Sequence, residues 1–359
     1  MLRSQKTILS VCLMALLAAV LPAAAPARAP EAPPADDSPQ WDRVTVIPWG
    51  SGRARLQEAM NSKDTAALVK GPTCMLAFDD GSFAILDSLG GSVKEFKASG
   101  RFSRELLLPA AKDGKTRPVA VDMAASGPGD YWLLCPEQLA VVHLKAGDKS
   151  AKSLAIKGAT QDSILVAVSR DAEGVLYVLD ANDGALWRLD GSGKALPKLL
   201  QRDMQGMAVD ANGHIYDLEL AAKNDARHWN LRRWSKPAAA PTAKSEEPGF
   251  EGLEQTQPAL TPETIARITS DREINRMDVF GVDRDGNIYV VLAGGAIEKP
   301  SKVEVLRFDA QGAVTGRVPC PLDPTELKFT HGKVVSPGGK VFALVVHPKG
   351  LEVLKLSGW

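Results

Sequence analysis

Cysteine is scarce: the 359 residues hold only Cys12, Cys74, Cys135 and Cys320, far apart and with no Cys-x-x-Cys pair. That excludes a disulfide-stapled small scaffold and a thiolate zinc or redox motif. Beyond the N-terminal stretch that carries Cys12, the odd set left is compatible with one bridge plus a free thiol, or with separately buried thiols. A charge surplus is missing too. Lys+Arg and Asp+Glu both number 43, so nothing draws nucleic acid and nothing marks an acidic solvating tail. Apolar spacing of the helical kind is almost absent; its best stretch, Leu56–Met60, is too short to hold a helix alone. The chain also lacks a Gly-x-Ser-x-Gly elbow, a phosphate-cradling Gly loop with Lys, a His-Glu-x-x-His pair and an Asp-rich calcium loop ending in Glu. Each absence removes an otherwise recognisable hydrolase, nucleotide or metal chemistry.

The N-terminus carries an export pattern. Arg3 and Lys6 give a positive start, Ile8–Leu21 an apolar run, and Ala25-Pro26-Ala27 the small residues of a cleavage site, so residues 1–27 read as a signal peptide. The apolar run is shorter than the ~20 residues of a membrane span, and no second candidate follows. Val11 before Cys12, inside the apolar run, argues against lipidation. The mature protein is therefore expected in the periplasm or outside the cell. Residues 28–42, rich in Pro and acid, read as an extended linker, and 43–359 as the folded domain.

That domain is written in β-hairpins. Val279–Leu292, VFGVDRDGNIYVVL, has an apolar run, a tight Asp285-Gly286 turn and a second run of β-formers. The pattern recurs at Cys74–Leu86 (turn Asp80-Gly81), Val119–Leu134 (a longer turn through Gly127 and Gly129), Ile164–Asp180 (Glu173-Gly174), Met207–Leu220 (Asn212-Gly213) and Lys333–Val346 (Gly338-Gly339). A second hairpin follows most of these, giving four strands per unit at a spacing suited to a blade. Residues 237–262 interrupt the fourth unit with a Pro-, Ala- and Glu-rich stretch expected to be a mobile surface insertion.

The sixth unit stops one strand short, at Leu351–Leu356, while a spare strand, Arg43–Pro48, precedes the first. Pairing the two closes a ring and removes its open edges. The expected fold is all-β: a six-bladed β-propeller of four-stranded blades, the last closed by the N-terminal strand.

The segments LAFDDGSFAILD, MAVDANGHIYDLE and FGVDRDGNIYVV resemble NHL repeats, the short propeller blades with an apolar-Asp-x-x-Gly-x-apolar-Tyr-Val signature. Phe78 departs from it, standing where the repeat has Asp. The resemblance implies the propeller. For function it implies a platform for protein, glycan or RNA, or in some members a lyase or hydrolase.

A site is expected over the channel mouth, where inner strands begin and the loops between second and third strands gather. Counting back from each turn places Thr73, Arg117, Val166, Gln205, Asp278 and His331 there, and the loops add Asp87, Glu137, Asp180, Asn182, Glu219, Glu298 and His347. Two stretches, Ala221–Asn230 and Gly294–Ser301, read as long loops, bringing Arg227, His228, Trp229 and Lys299 within reach. Arg117, Gln205, Asp278, His331, His228 and Trp229 are the expected ligand-binding residues. Polar residues at a wet channel mouth need no ligand, however. His228, His331 and His347 share no metal-ligand spacing, so no metal and no cofactor is expected. His143 and His214 fall in strand patterns, and Trp132, Trp187 and Trp234 read as core. These features point first to an exported, non-catalytic scaffold for a protein or glycan partner. The alternatives are a metal-dependent lyase or hydrolase with its site over the channel, and a structural subunit of an envelope assembly.

Overall fold

The computed structural model describes residues 38–57, 71–110, 117–148, 150–200, 205–223, 225–236, 261–296, 299–321 and 333–359. The expected signal peptide, nearly all of the linker, most of the 237–262 insertion and His331 lie outside the described residues.

Among the described residues the first strand is β1 (Gln40–Pro48), which starts a little before the expected Arg43. Six four-stranded antiparallel sheets follow from the sequence pattern. Blade one is β2 (Cys74–Ala77), β3 (Phe83–Asp87), β4 (Ser92–Phe96) and β5 (Phe102–Leu107). Blade two is β6 (Asp122–Gly127), β7 (Asp130–Cys135), β8 (Ala140–Lys145) and β9 (Lys152–Ala155), with a single 3₁₀ turn at Pro136–Gln138. Blade three is β10 (Leu165–Arg170), β11 (Leu176–Asp180), β12 (Ala185–Leu189) and β13 (Ala195–Leu200). Blade four is β14 (Gln205–Val209), β15 (Ile215–Leu220), β16 (His228–Trp234) and β17 (Glu263–Thr269). Blade five is β18 (Ile274–Val282), β19 (Ile288–Ala296), β20 (Lys299–Phe308) and β21 (Val314–Cys320). Blade six is β22 (Lys333–Val335), β23 (Val341–His347) and β24 (Gly350–Ser357), completed by β1.

Closure takes the expected form. β1 runs antiparallel to β24 from Gln40 opposite Ser357 to Pro48 opposite Gly350. Gly350 is needed there: a Cβ on it would lie 2.2 Å from the Ile47 carbonyl oxygen. The Trp41 indole N–H donates to the Pro319 carbonyl at 2.8 Å, tying the closing strand to blade five as well. Each inner strand contacts the next around the ring, β2 meeting both β6 and β22.

The core is six apolar layers, one between each pair of neighbouring blades. The middle strands are covered on both faces, which explains why they read as unbroken apolar runs rather than alternating ones. Trp132 and Trp187 pack in one layer, Trp229 and Trp234 in two others. Cys74, Cys135 and Cys320 are buried free thiols.

The repeat signature is a folding device. In blade five, Asp283 Oδ1 accepts the backbone N–H groups of Asp285 (3.0 Å) and Asn287 (2.9 Å), and Oδ2 accepts the Tyr289 hydroxyl at 2.8 Å. Asp210 does the same with Asn212, His214 and Tyr216, and Asp171 with Val175 and Tyr177. The carboxylate fixes the turn while the tyrosine locks the second strand to it. Burial and the adjacent Asp210 push the Tyr216 phenol up to about 12. Blades one, two and six lack the Asp; in blade six Ser336 Oγ accepts the Lys340 N–H at 3.1 Å, and in blade two Tyr131 donates to Glu95 Oε1 of blade one at 2.7 Å.

Candidate functional site

The inner strands surround a central channel with a cavity of about 250 Å³. Its wall mixes polar and apolar surface and is built from the inner strands, through residues such as Met75, Met123, Met207, Phe280 and Val334. Among the described residues that line it, the charged ones are Lys333 and Arg170, and the Arg170 guanidinium is turned aside to donate to the Asp171 carbonyl at 3.3 Å. The wall runs from the level of Lys333 to the first-hairpin turns at Phe78, Gly127 and Pro337. The cavity thus lies on the turn side of the mouth residues expected from sequence.

Strand register explains what is unusual about Lys333. It pairs with Ala343, four residues after the turn glycine Gly339. The residues in the same register are Met75 opposite Ile85, Met123 opposite Leu133, Val168 opposite Val178 and Val279 opposite Val290. Blade six therefore places an amine where those blades place an apolar side chain. Lys333 is 2% exposed. Burial pushes its pKa down; the Asp278 carboxylate and Cys320 pull it up, and the Arg276 guanidinium lowers it further. The net direction is downward, because removing an ammonium from water outweighs the attraction of a neighbouring acid.

Arg170 ends β10 in blade three, and in a ring of six, blades three and six stand opposite one another. Its guanidinium carbon lies 4.6 Å from the centre of the Trp132 ring, which steadies it by a cation–π contact. Cys74 also lines the cavity, but its thiol is pushed well up by burial and by Asp122 beside it. Asp122 Oδ2 accepts the Val168 N–H at 2.7 Å, binding blade two to blade three. Cys74 is thus an inert thiol.

The residues expected from sequence are placed as follows. Asp278 is half-buried on β18 and acts on Lys333 through its charge. Gln205 opens β14, its backbone pairing with Leu218. Arg117 does not occupy the expected inner-strand position, because the blade-two turn is Gly127–Asp130 and the count from Gly129 falls on Val121. Arg117 precedes β6, donates to the Leu108 carbonyl and packs against Gly91. His228 and Trp229 are not in a long loop: β16 begins at His228. His228 Nδ1 lies 2.7 Å from Asp225 Oδ2, a hydrogen bond that holds the Asp225 carboxyl below its usual range. Trp229 is buried, its indole N–H donating to the Ala226 carbonyl at 3.0 Å, so it is not available for contact. The second expected long loop is a hairpin extension, with Gly294 paired to Lys302 and Ala296 to Lys299.

Two of the acids expected at the mouth are engaged in holding the fold. Asp87 forms a buried ion pair with Lys94 at 2.8 Å and accepts the Gly90 N–H. Asp180 accepts the N–H groups of Ile164, Asn182 and the Trp187 indole. Among the described residues, no three His, Cys, Asp or Glu side chains are grouped so as to hold a metal ion. No helix among them is long and apolar enough to cross a membrane.

No family model and no curated protein matches the sequence. Solved structures do match in fold. A streptogramin B lyase shares 11% identity, with 80% of this chain and 93% of that one covered and a TM-score of 0.46. A gluconolactonase from Xanthomonas campestris shares 15% identity, with 79% and 86% covered and a TM-score of 0.48. YCF48 bound to D1 peptide, at 12% identity, 88% and 96% coverage and a TM-score of 0.44, shows that propellers can also bind protein segments. Several of the structures sharing this architecture are enzymes, against the expectation of a non-catalytic scaffold. At these identities the likeness is one of fold: the chain is a six-bladed β-propeller built of NHL-like blades.

Proposed function

We propose that this protein is an enzyme of the lyase or hydrolase type, acting on a small molecule in the central channel with the Lys333 amine as its reacting group. The observation that carries the reading is Lys333, a lysine 2% exposed among the residues that line the central cavity. A depressed pKa gives this amine a larger neutral fraction than a surface lysine has, and only the neutral form can take a proton or attack carbon. Asp278 favours the ammonium formed when the proton is taken.

The N-terminal pattern supports export to the periplasm or beyond, which N-terminal sequencing of the mature protein tests. The catalytic reading is tested by assaying the purified chain against sugar lactones, aryl esters and cyclic depsipeptides. Lys333→Met is expected to lower turnover by about 100-fold or more. Met occupies the corresponding register in blades one and two, so the substitution suits the fold. Equal turnover by both proteins contradicts the assignment.

A further inference from the structure

A stack of three side chains spans the joint between blades two and three, apart from Lys333. Trp132 of β7 carries the His143 ring against one face, with 4.4 Å between centroids and 7° between planes. The guanidinium carbon of Arg170, from β10, lies 4.6 Å from the centre of the same indole. β8, which bears His143, pairs on the outer side of β7, whereas β10 is an inner strand, so the two groups take opposite faces. We propose that this stack is an acid-sensitive joint, in which protonation of His143 releases Arg170 from Trp132 and loosens blade two from blade three at the turn side of the channel.

The two partners of the indole are held unequally. His143 Nε2 lies 2.6 Å from Asp130 Oδ1, and both side chains are a quarter exposed, so water delivers a proton without any opening of the fold. Arg170 has no carboxylate within ion-pair distance among the described residues. Its guanidinium donates to the Asp171 carbonyl at 3.3 Å, and its Nε is buried without a hydrogen-bond partner among them. The face of Trp132 is therefore its main support. Arg170 is half-buried at the end of β10, so a freed guanidinium reaches water without disrupting the strand.

Local charge works against a further cation. Asp130 is the carboxylate beside His143; Asp148, in the turn after β8, is exposed. The other charged groups around the ring are Lys145, 3.9 Å from Asp130, Lys152, opposite His143 in the β8–β9 register, and Arg170 beyond the indole. Lys152 also donates to the Ser192 carbonyl of blade three. Arg104 of blade one approaches Gly129 but is paired with Glu95, and Asp171 is committed to Tyr177 and to Lys236 of blade four. The location of each effect then sets the direction. An imidazolium strengthens its pair with Asp130, which lies within blade two, while its repulsion of Arg170 acts across the joint. The gain stays inside one sheet, and the loss falls between two. Imidazole side chains change charge between about pH 8 and about pH 5, where ordinary carboxylates and lysines keep theirs.

The test is NMR of the full chain carrying isotope-labelled arginine, with Arg170→Lys used to assign the Arg170 signals. At about pH 8 the indole ring current is expected to displace the Arg170 δ-methylene protons upfield; at about pH 5.5 most of that displacement is expected to be gone, with the midpoint of the His143 ring signals. His143→Phe stacks but cannot charge, and His143→Gln can bond Asp130 but cannot charge. Both are expected to keep the displacement at either pH. An upfield position that persists at about pH 5.5 in the wild type overturns the proposal. The same loss in both variants as in the wild type overturns it too, because another group then drives the change. Neither outcome involves turnover, so the reading of Lys333 stands or falls separately.

Discussion

The Tyr289 hydroxyl donates to Asp283 Oδ2 at 2.8 Å across a turn whose backbone the same carboxylate already caps. The pairing gives the repeat signature its physical meaning, since the Asp and the Tyr six residues later form one unit. Asp283→Ala removes the cap and strands a buried phenol, and is expected to cost about 2–4 kcal/mol. Tyr289→Phe removes only one hydrogen bond and is expected to cost about 1 kcal/mol. Denaturant unfolding of both variants measures the difference; equal costs contradict a capping role for Asp283.

Closure makes a second prediction. A side chain at position 350 meets the Ile47 carbonyl, so Gly350→Val is expected to force the closing strand away from β24 and lower the melting temperature sharply. Gly52→Val is the control, because a Cβ there meets nothing within 4 Å, although its positive φ carries some strain of its own. Equal melting temperatures for the two variants mean that β1 does not clasp the ring.

The ring and its closure are legible in the sequence because hairpin turns recur, glycines mark them and the end strands complement each other. The site is less so. Counting eight residues back from each turn glycine led to Gln205, Asp278 and His331, whereas the buried lysine among the residues lining the cavity stands at the sixth residue back, Lys333. Setting the inner strands in register would have shown a lysine in a column of Met and Val. Two further features were hidden by strand length. The apolar run Val290–Ala293 continues its pairing past Gly294, turning an expected loop into strand, and β16 begins early enough to bury Trp229.

A third prediction follows from the direction of the Lys333 shift. A lysine whose folded pKa lies below its unfolded value destabilises the fold wherever the unfolded chain binds the extra proton. The penalty is complete below the folded pKa and is relieved as pH rises towards the ordinary lysine value of 10.5. Asp278 and Cys320 act against this penalty and Arg276 adds to it. Lys333→Met is therefore expected to melt above the wild type near neutral pH, with the gap closing as pH approaches 10. A gap independent of pH contradicts burial as the dominant cause.

The central claim is that Lys333 carries an amine poised to react inside the channel. It is tested most directly by titrating the Lys333 side chain by NMR in the full chain, with Lys333→Met used to assign its signal. The account predicts a pKa below the ordinary lysine value of 10.5. A value at or above 10.5 would show that Lys333 is held as a structural ammonium, and would contradict its assignment as the reacting group.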